Sequence, residues 1–317
     1  MDTVQIVPPG ELVFGLQLPV VAQTTFLAQP WEKTAGAAEI LRVAREADRL
    51  GFFYVSACDH AAIPRDKAAA MSTVWYDTVA TLGFVAAATT RVRLLSHVYV
   101  LPYRHPLLTA KAFATLDALS GGRIVLGVGA GHVESEFAAL GVDFTRRGRL
   151  LDESIDLVAA ALRDEFPVHD GAQWHVRDHA VAPRPVQRPR PPIWVGGSTP
   201  AALRRAAARG DGWLPQGTPR AELPQAIAYL REHRRTLRGD TPIEVGAMSE
   251  WFYVGTPSFD VPPGTRTGGG EAIAASLREL KAMGVQHCGV RFRTRSCDEL
   301  VEQMQAFARE VAPHVNG

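Results

Sequence analysis

Ile193-Trp194-Val195-Gly196-Gly197-Ser198-Thr199-Pro200 compresses a strand, a turn and a helix start into one short stretch. The apolar run ending at Gly196 reads as a buried strand. Ser198 and Thr199 are residues that cap helices, and Pro200 suits a first helical position, where no amide hydrogen is needed. Working outward, short β-branched or apolar runs alternate with amphipathic stretches along the whole chain. That alternation predicts a parallel sheet with helical crossovers.

Candidate strands cover 13–18, 52–57, 92–98, 123–128, 192–196, 212–215, 243–249 and 285–291. Candidate helices cover 34–50, 72–88, 107–119, 149–162, 200–208, 220–237, 271–283 and 297–311. Ile40, Leu41, Ala44, Ala47 and Leu50 show the helical spacing, with Arg42, Arg45, Glu46 and Arg49 on the other face and Gly51 as the C-terminal stop. Eight such units in 317 residues fit one closed (β/α)₈ TIM barrel of class α/β better than an open doubly wound sheet. Residues 1–317 read as a single domain with rim-loop insertions. Four long connections break the rhythm, at 60–71, 130–148, 164–191 and 250–270. Three of them directly follow strands, on the rim where such barrels carry function. The Pro- and Arg-rich connection over 164–191 reads, in its 171–181 portion, as a small hairpin leading into the next strand.

Composition narrows the partners. Lys+Arg (34) and Asp+Glu (33) nearly cancel, so no global field recruits nucleic acid or an anionic membrane. No run approaches the length of a membrane span and no secretory leader pattern is present, so a cytoplasmic protein is expected. Cys58, Cys288 and Cys297 are far apart and have no metal-ligand spacing, which fits a reducing compartment without a structural metal. A small-molecule substrate is the expected partner.

Several constellations could carry chemistry. Gly196, Gly197, Ser198 and Thr199 resemble an anion cradle, in which unpaired amides and the helix dipole face a phosphate; an ordinary capped turn is the alternative. Gly127-Val-Gly-Ala-Gly131 matches a dinucleotide fingerprint weakly, since the sixth position is His132; its glycines are expected to pack backbone against a flat ring, the alternative being a structural bend. Asp59 and His60 end the second strand, where a carboxylate beside a histidine can hold it in one tautomer for proton exchange. His97 ends the third strand and His132 follows the fourth, so three histidines converge on one rim. Arg104, His105 and Pro106 read as architectural. Arg123 opens its strand from the opposite, stabilising face.

Four phrases carry a resemblance: Leu101-Pro-Tyr-Arg-His-Pro-Leu-Leu108, Ala114-Thr-Leu-Asp-Ala-Leu-Ser-Gly-Gly-Arg123, Leu126-Gly-Val-Gly-Ala-Gly131, and Pro191-Pro-Ile-Trp-Val-Gly-Gly197 with Gly210-Asp-Gly-Trp213. Together the chain resembles the luciferase-like monooxygenase superfamily, in particular its branch dependent on the deazaflavin coenzyme F420. The resemblance implies a barrel, usually homodimeric, that holds a flavin or deazaflavin at the strand C-termini. It implies catalytic roles for Asp59, His60 and His132. It also implies cofactor contacts from His97 and Val98, joined by a cis peptide, from Gly129, Ala130 and Gly131, and from the 196–199 segment. Two departures, Gln216 and Pro219, stand where relatives grip a sugar phosphate, and His132 stands where those relatives have a glutamate; glucose 6-phosphate is not expected. Bacterial luciferases place an arginine at the position of Ala130 to meet the FMN phosphate, so F420 is expected, with an FMN-dependent monooxygenase as the alternative and a non-catalytic flavin-binding barrel third. Trp75, Trp251 and Phe252 are expected to line the substrate pocket.

Overall fold

The computed structural model describes residues 3–316. Eight parallel strands form a ring: β1 (Val13–Gln17), β2 (Tyr54–Ala57), β3 (Arg93–Ser96), β4 (Ile124–Gly129), β5 (Ile193–Gly196), β6 (Gly212–Leu214), β7 (Glu244–Val254) and β8 (His287–Phe292). Each pairs with the next, and Val13 of β1 pairs with His287 of β8 to close the barrel. One main helix follows each strand: α1 (Ala37–Leu50), α2 (Thr78–Ala86), α3 (Pro106–Ser120), α4 (Arg147–Arg163), α5 (Pro200–Arg209), α6 (Leu223–Arg238), α7 (Gly270–Ala282) and α8 (Cys297–Ala306). All eight expected units are present. Among the described residues no helix is long and apolar enough to cross a membrane.

Local chemistry explains the boundaries. Gly51 ends α1 in the left-handed region, its amide donating to Ala47 O. The expected helix over 72–88 begins only at Thr78, because Trp75 bridges to Ala22 in extended form and the Asp77 carboxylate caps the first turn from Ala80 N. The expected hairpin lies earlier than 171–181, pairing His169–Asp170 with His175–Val176, since the Glu153 carboxylate accepts from the amides of Gln173 and Trp174 and holds the turn there. The expected loop over 250–270 is partly strand: β7 continues to Val254, and Thr265–Gly268 pairs beside it. Phe252 is correspondingly buried in the core, near Phe307, and does not line a pocket.

The proline-rich 183–192 segment is anchored. Asp117 accepts from the amides of Val186 and Gln187, and Arg190 pairs with Asp211 at 2.6 Å, both buried. Arg123 is structural, donating to carbonyls of Ala86, Thr89, Val92 and Ser120.

The barrel interior is filled from its N-terminal end. The Glu244 carboxylate accepts from the amides of Ile6 and Val7 and from Trp194 Nε1, so the N-terminal segment closes that end. Above it, His287 stacks on Trp194 with ring centroids 3.9 Å apart, and Tyr54 meets both edge-on. Only the opposite mouth remains for chemistry.

Candidate active site at the strand C-terminal mouth

Because every barrel strand runs the same way, the residues that follow them share one rim. Val128 of β4 pairs with Val195 of β5, so the Gly127–Gly131 and Gly196–Gly197 segments lie side by side on it. Asp59 and His60 follow β2, His97 and Val98 follow β3, and His132 follows β4.

Asp59 and His60 do not work as a pair. The buried Asp59 carboxylate accepts from both terminal nitrogens of Arg104, at 2.8 and 2.7 Å, and from Val100 N at 2.8 Å. Arg104 in turn lies 4.2 Å from the Tyr99 ring. Asp59 therefore ties β2 to the segment after β3, and Arg104 is architectural, as expected. The carboxylate that holds His60 is Glu136, on the short helix Glu134–Ala139: His60 Nδ1 lies 2.8 Å from Glu136 Oε2. Glu136 also accepts from Tyr103 Oη at 2.8 Å and from the amides of Ala61 and Ala62. Burial alone raises its carboxyl, but the bonds from His60, Ala62 and Tyr103 hold it below the usual carboxylate value. With an ionised Glu136 at Nδ1, the ring carries its proton there and turns Nε2 toward other partners. Trp75 packs against His60 at 4.3 Å, and His132 lies edge-on at 5.5 Å. The sequence reading missed Glu136 and Tyr103: they lie 76 and 43 residues from His60, and neither the loop over 130–148, which holds Glu136, nor the Leu101–Leu108 phrase, which holds Tyr103, offers a spacing that singles one out.

His97 and Val98 are joined by a cis peptide, as expected. Burial pushes His97 down to about 4, so its ring is neutral at physiological pH and contributes a surface at the rim, where His60 and His132 remain the proton-exchanging candidates. Burial and the nearby His60 also lower His132.

At the glycines of β4 and just after it, the space a side chain would take is filled by neighbouring chain. A Cβ on Gly129 would meet the Val98 side chain at 2.5 Å, one on Gly127 would meet Ser96 O at 2.0 Å, and one on Gly131 would meet Phe137 at 2.7 Å. A Cβ on Gly196 would also meet Val98, at 2.6 Å. Val98 is thus seated between β4 and β5, and these glycines admit neighbouring chain.

At 196–199 the cradle is narrower than expected. Gly197 N donates to Leu214 O at 3.0 Å, and Trp213 Nε1 donates to Gly197 O. Ser198 Oγ is engaged with Gln216 and Thr218, and Thr199 Oγ1 caps α5 from Ala202 N. The amides of Ser198 and Thr199 meet no acceptor among the described residues, directly before the start of α5. A cavity of about 340 Å³ lined by Ser198, Pro200, Thr218 and Tyr229 opens beside them.

Comparison with known proteins agrees with this architecture. An uncharacterized protein of Mycobacterium tuberculosis is 36% identical over 165 residues, covering 52% of this chain and 56% of its own length. The 4-hydroxyprotoasukamycin monooxygenase of Streptomyces nodosus subsp. asukaensis is 33% identical over 169 residues, covering 49% of this chain and 46% of its own length. The chain thus spans about half the length of these relatives. Three solved structures share the fold over 96% of this chain. Monooxygenase RslO1 from Streptomyces bottropensis has a TM-score of 0.75 at 22% identity over 99% of its chain. An F420-dependent secondary alcohol dehydrogenase in complex with an F420-acetone adduct has 0.76 at 18% over 99%. The oxygenating constituent of 3,6-diketocamphane monooxygenase from Pseudomonas putida, in complex with FMN, has 0.74 at 14% over 98%. At these identities the structural likeness speaks for the fold alone. The luciferase-like monooxygenase profile, whose members are oxidoreductases and monooxygenases, matches residues 16–255, well over half the sequence, and the chain belongs to that family.

Proposed function

We propose that this chain is an F420-dependent oxidoreductase acting on a small organic substrate, with His60 as the group that exchanges the accompanying proton. The observation that carries the reading is the 2.8 Å contact of His60 Nδ1 with Glu136, which orients one histidine of the rim by a buried carboxylate. The residues present fit a phosphate-bearing redox nucleotide. Ser198 and Thr199 offer two unengaged amides at a helix start, where the dipole favours an anion, and would hold the phosphate. Val98, His97 and Ala130 would form the wall behind the ring, and Ala130 brings no cation to meet an FMN phosphate. When bound, the deazaflavin supplies the hydride from its C5 carbon. The chain's own task is positioning: Glu136 fixes the His60 ring, Tyr103 supports Glu136, and Trp75 covers the imidazole from the side.

A second reading, an FMN-dependent monooxygenase, draws support from the similarity to one monooxygenase relative and to the FMN-bound neighbour.

Kinetics of variants test the assignment. His60→Ala is expected to lower turnover about 10²–10⁴-fold while cofactor affinity changes little, and Glu136→Gln to lower it less, with the same pattern. His132→Ala is measured alongside. Loss of the chemical step in His132→Ala with rate and affinity intact in His60→Ala would transfer the role to His132.

A further inference from the structure

At another corner of the mouth, Arg291 of β8 and Arg293, which directly follows β8, bring two guanidinium groups beside Trp251 of β7. His287 and Gly289 of β8 face inward, His287 onto Trp194 and Gly289 toward Met248 and Tyr54. The two-residue alternation of a strand puts Arg291 on the same face. Trp251 pairs in register with Arg291 after a bulge in β7, so it shares that face too. The Arg291 guanidinium lies 5.1 Å from the centre of the Trp251 ring and that of Arg293 lies 3.8 Å from it.

Neither cation has a carboxylate partner among the described residues. Arg291 donates from Nε to Ser249 O at 2.9 Å and from Nη2 to the same oxygen. Arg293 Nε is buried and meets no acceptor. The acids nearby are committed elsewhere: Glu250 to Arg266 and Ser276, Glu299 to Arg295, and Glu32 to the amides of Val20 and Gln29. Burial works against both charges, lowering each guanidinium from its ordinary value. A cavity of about 70 Å³ opens here, lined by Gln17, Glu32, Met248, Trp251 and Arg291 among others, and Arg293 stands beside it against the Trp251 ring rather than in its lining. Gln17 continues the rim to β2, its Oε1 lying 3.5 Å from the Cys58 thiol, which is two residues from His60.

Two half-buried cations around one aromatic ring repel each other and have no carboxylate within hydrogen-bonding reach, which an anion entering the cavity would supply. A carboxylate matches guanidinium donors in shape and charge. Trp251 and Met248 offer an apolar surface to the rest of such a molecule.

We propose that this corner is the substrate subsite and that it selects an organic carboxylate with an apolar or aromatic body, its anionic end on Arg293 and Arg291 and its body on Trp251. The inference rests on the oxidoreductase reading above for calling this ligand the substrate.

Benzoate and benzamide, equal in shape and different in charge, are the probes. Their binding to the whole chain is measured by calorimetry for the wild type, Arg293→Gln and Arg293→Lys, with thermal melting to verify that each variant is folded. The expected result is benzoate preferred about tenfold or more by the wild type, the preference lost in Arg293→Gln and largely kept in Arg293→Lys. Equal affinity for the two probes, no binding of either, or a preference that survives Arg293→Gln overturns the proposal. F420 and FMN affinities are taken on the same preparations. Unchanged cofactor binding in Arg293→Gln accompanies the expected result, whereas a loss assigns the arginines to the cofactor and overturns the subsite. Failure of the wild type to bind either cofactor, with the benzoate preference intact, refutes the oxidoreductase reading and leaves the carboxylate site standing.

Discussion

His287 is a residue whose titration bears on stability. Both its ring nitrogens are buried without a partner, and burial, with His97 close by, pushes its pKa down to about 3. An unfolded histidine takes up its proton near pH 6.5, so on acidification the unfolded chain binds protons that the native chain refuses. Stability is therefore full above pH 6.5 and falls as the pH drops from there toward 3. His287→Phe keeps a flat ring on Trp194 and removes the titration. Between pH 6.5 and 5, urea unfolding of the wild type is expected to lose on the order of 1–2 kcal/mol more than the variant does. An equal loss in both would mean that His287 is not held neutral. The rim histidines teach a different lesson at this scale. Their convergence was legible, because each follows a strand of a parallel barrel. The partner of His60 was not: Asp59 is its neighbour in sequence but turns away to Arg104, while Glu136 arrives from another loop. Such pairing is decided by tertiary packing, which local spacing does not encode.

The turn between β5 and α5 shows how one element can serve two purposes. Gly197 has φ +119°, and a Cβ there would meet that of Ala202 at 2.8 Å, so the glycine is required by the turn whether or not an anion binds. Replacing it would confuse architecture with recognition. Thr199 separates them, since its φ of −75° suits proline, which removes the amide hydrogen. Thr199→Pro and Thr199→Ala both lose the hydroxyl cap, but only the first loses the amide. Cofactor affinity is expected to be about tenfold lower in Thr199→Pro than in Thr199→Ala, a difference of about 1.4 kcal/mol. Matching affinities would leave the turn a cap and no more. At this scale strands and helices were legible from periodicity and capping residues. The elements that escaped or shifted are those fixed by distant side chains: the hairpin held by Glu153, and the extension of β7 whose Phe252 is drawn into the core.

For the molecule as a whole, eight repeats of one strand and helix unit leave a closed ring as the arrangement in which every strand is paired, and the count alone reached it. The ring has a plugged end, where Ile6 and Val7 meet Glu244, and an open one, so the rim assignment follows from strand direction. In the proposed function, the choice of redox nucleotide at that mouth rests on a few groups, chiefly the small Ala130 and the amides before α5. The most direct test is a fluorescence-quenching titration of the nucleotide-free protein, whose 6 tryptophans include Trp75 at the mouth, with F420 and with FMN in separate runs. The account predicts saturable quenching by F420 at about tenfold or more lower concentration than by FMN. Saturation by FMN at the lower concentration, or no saturable response to F420, would contradict it.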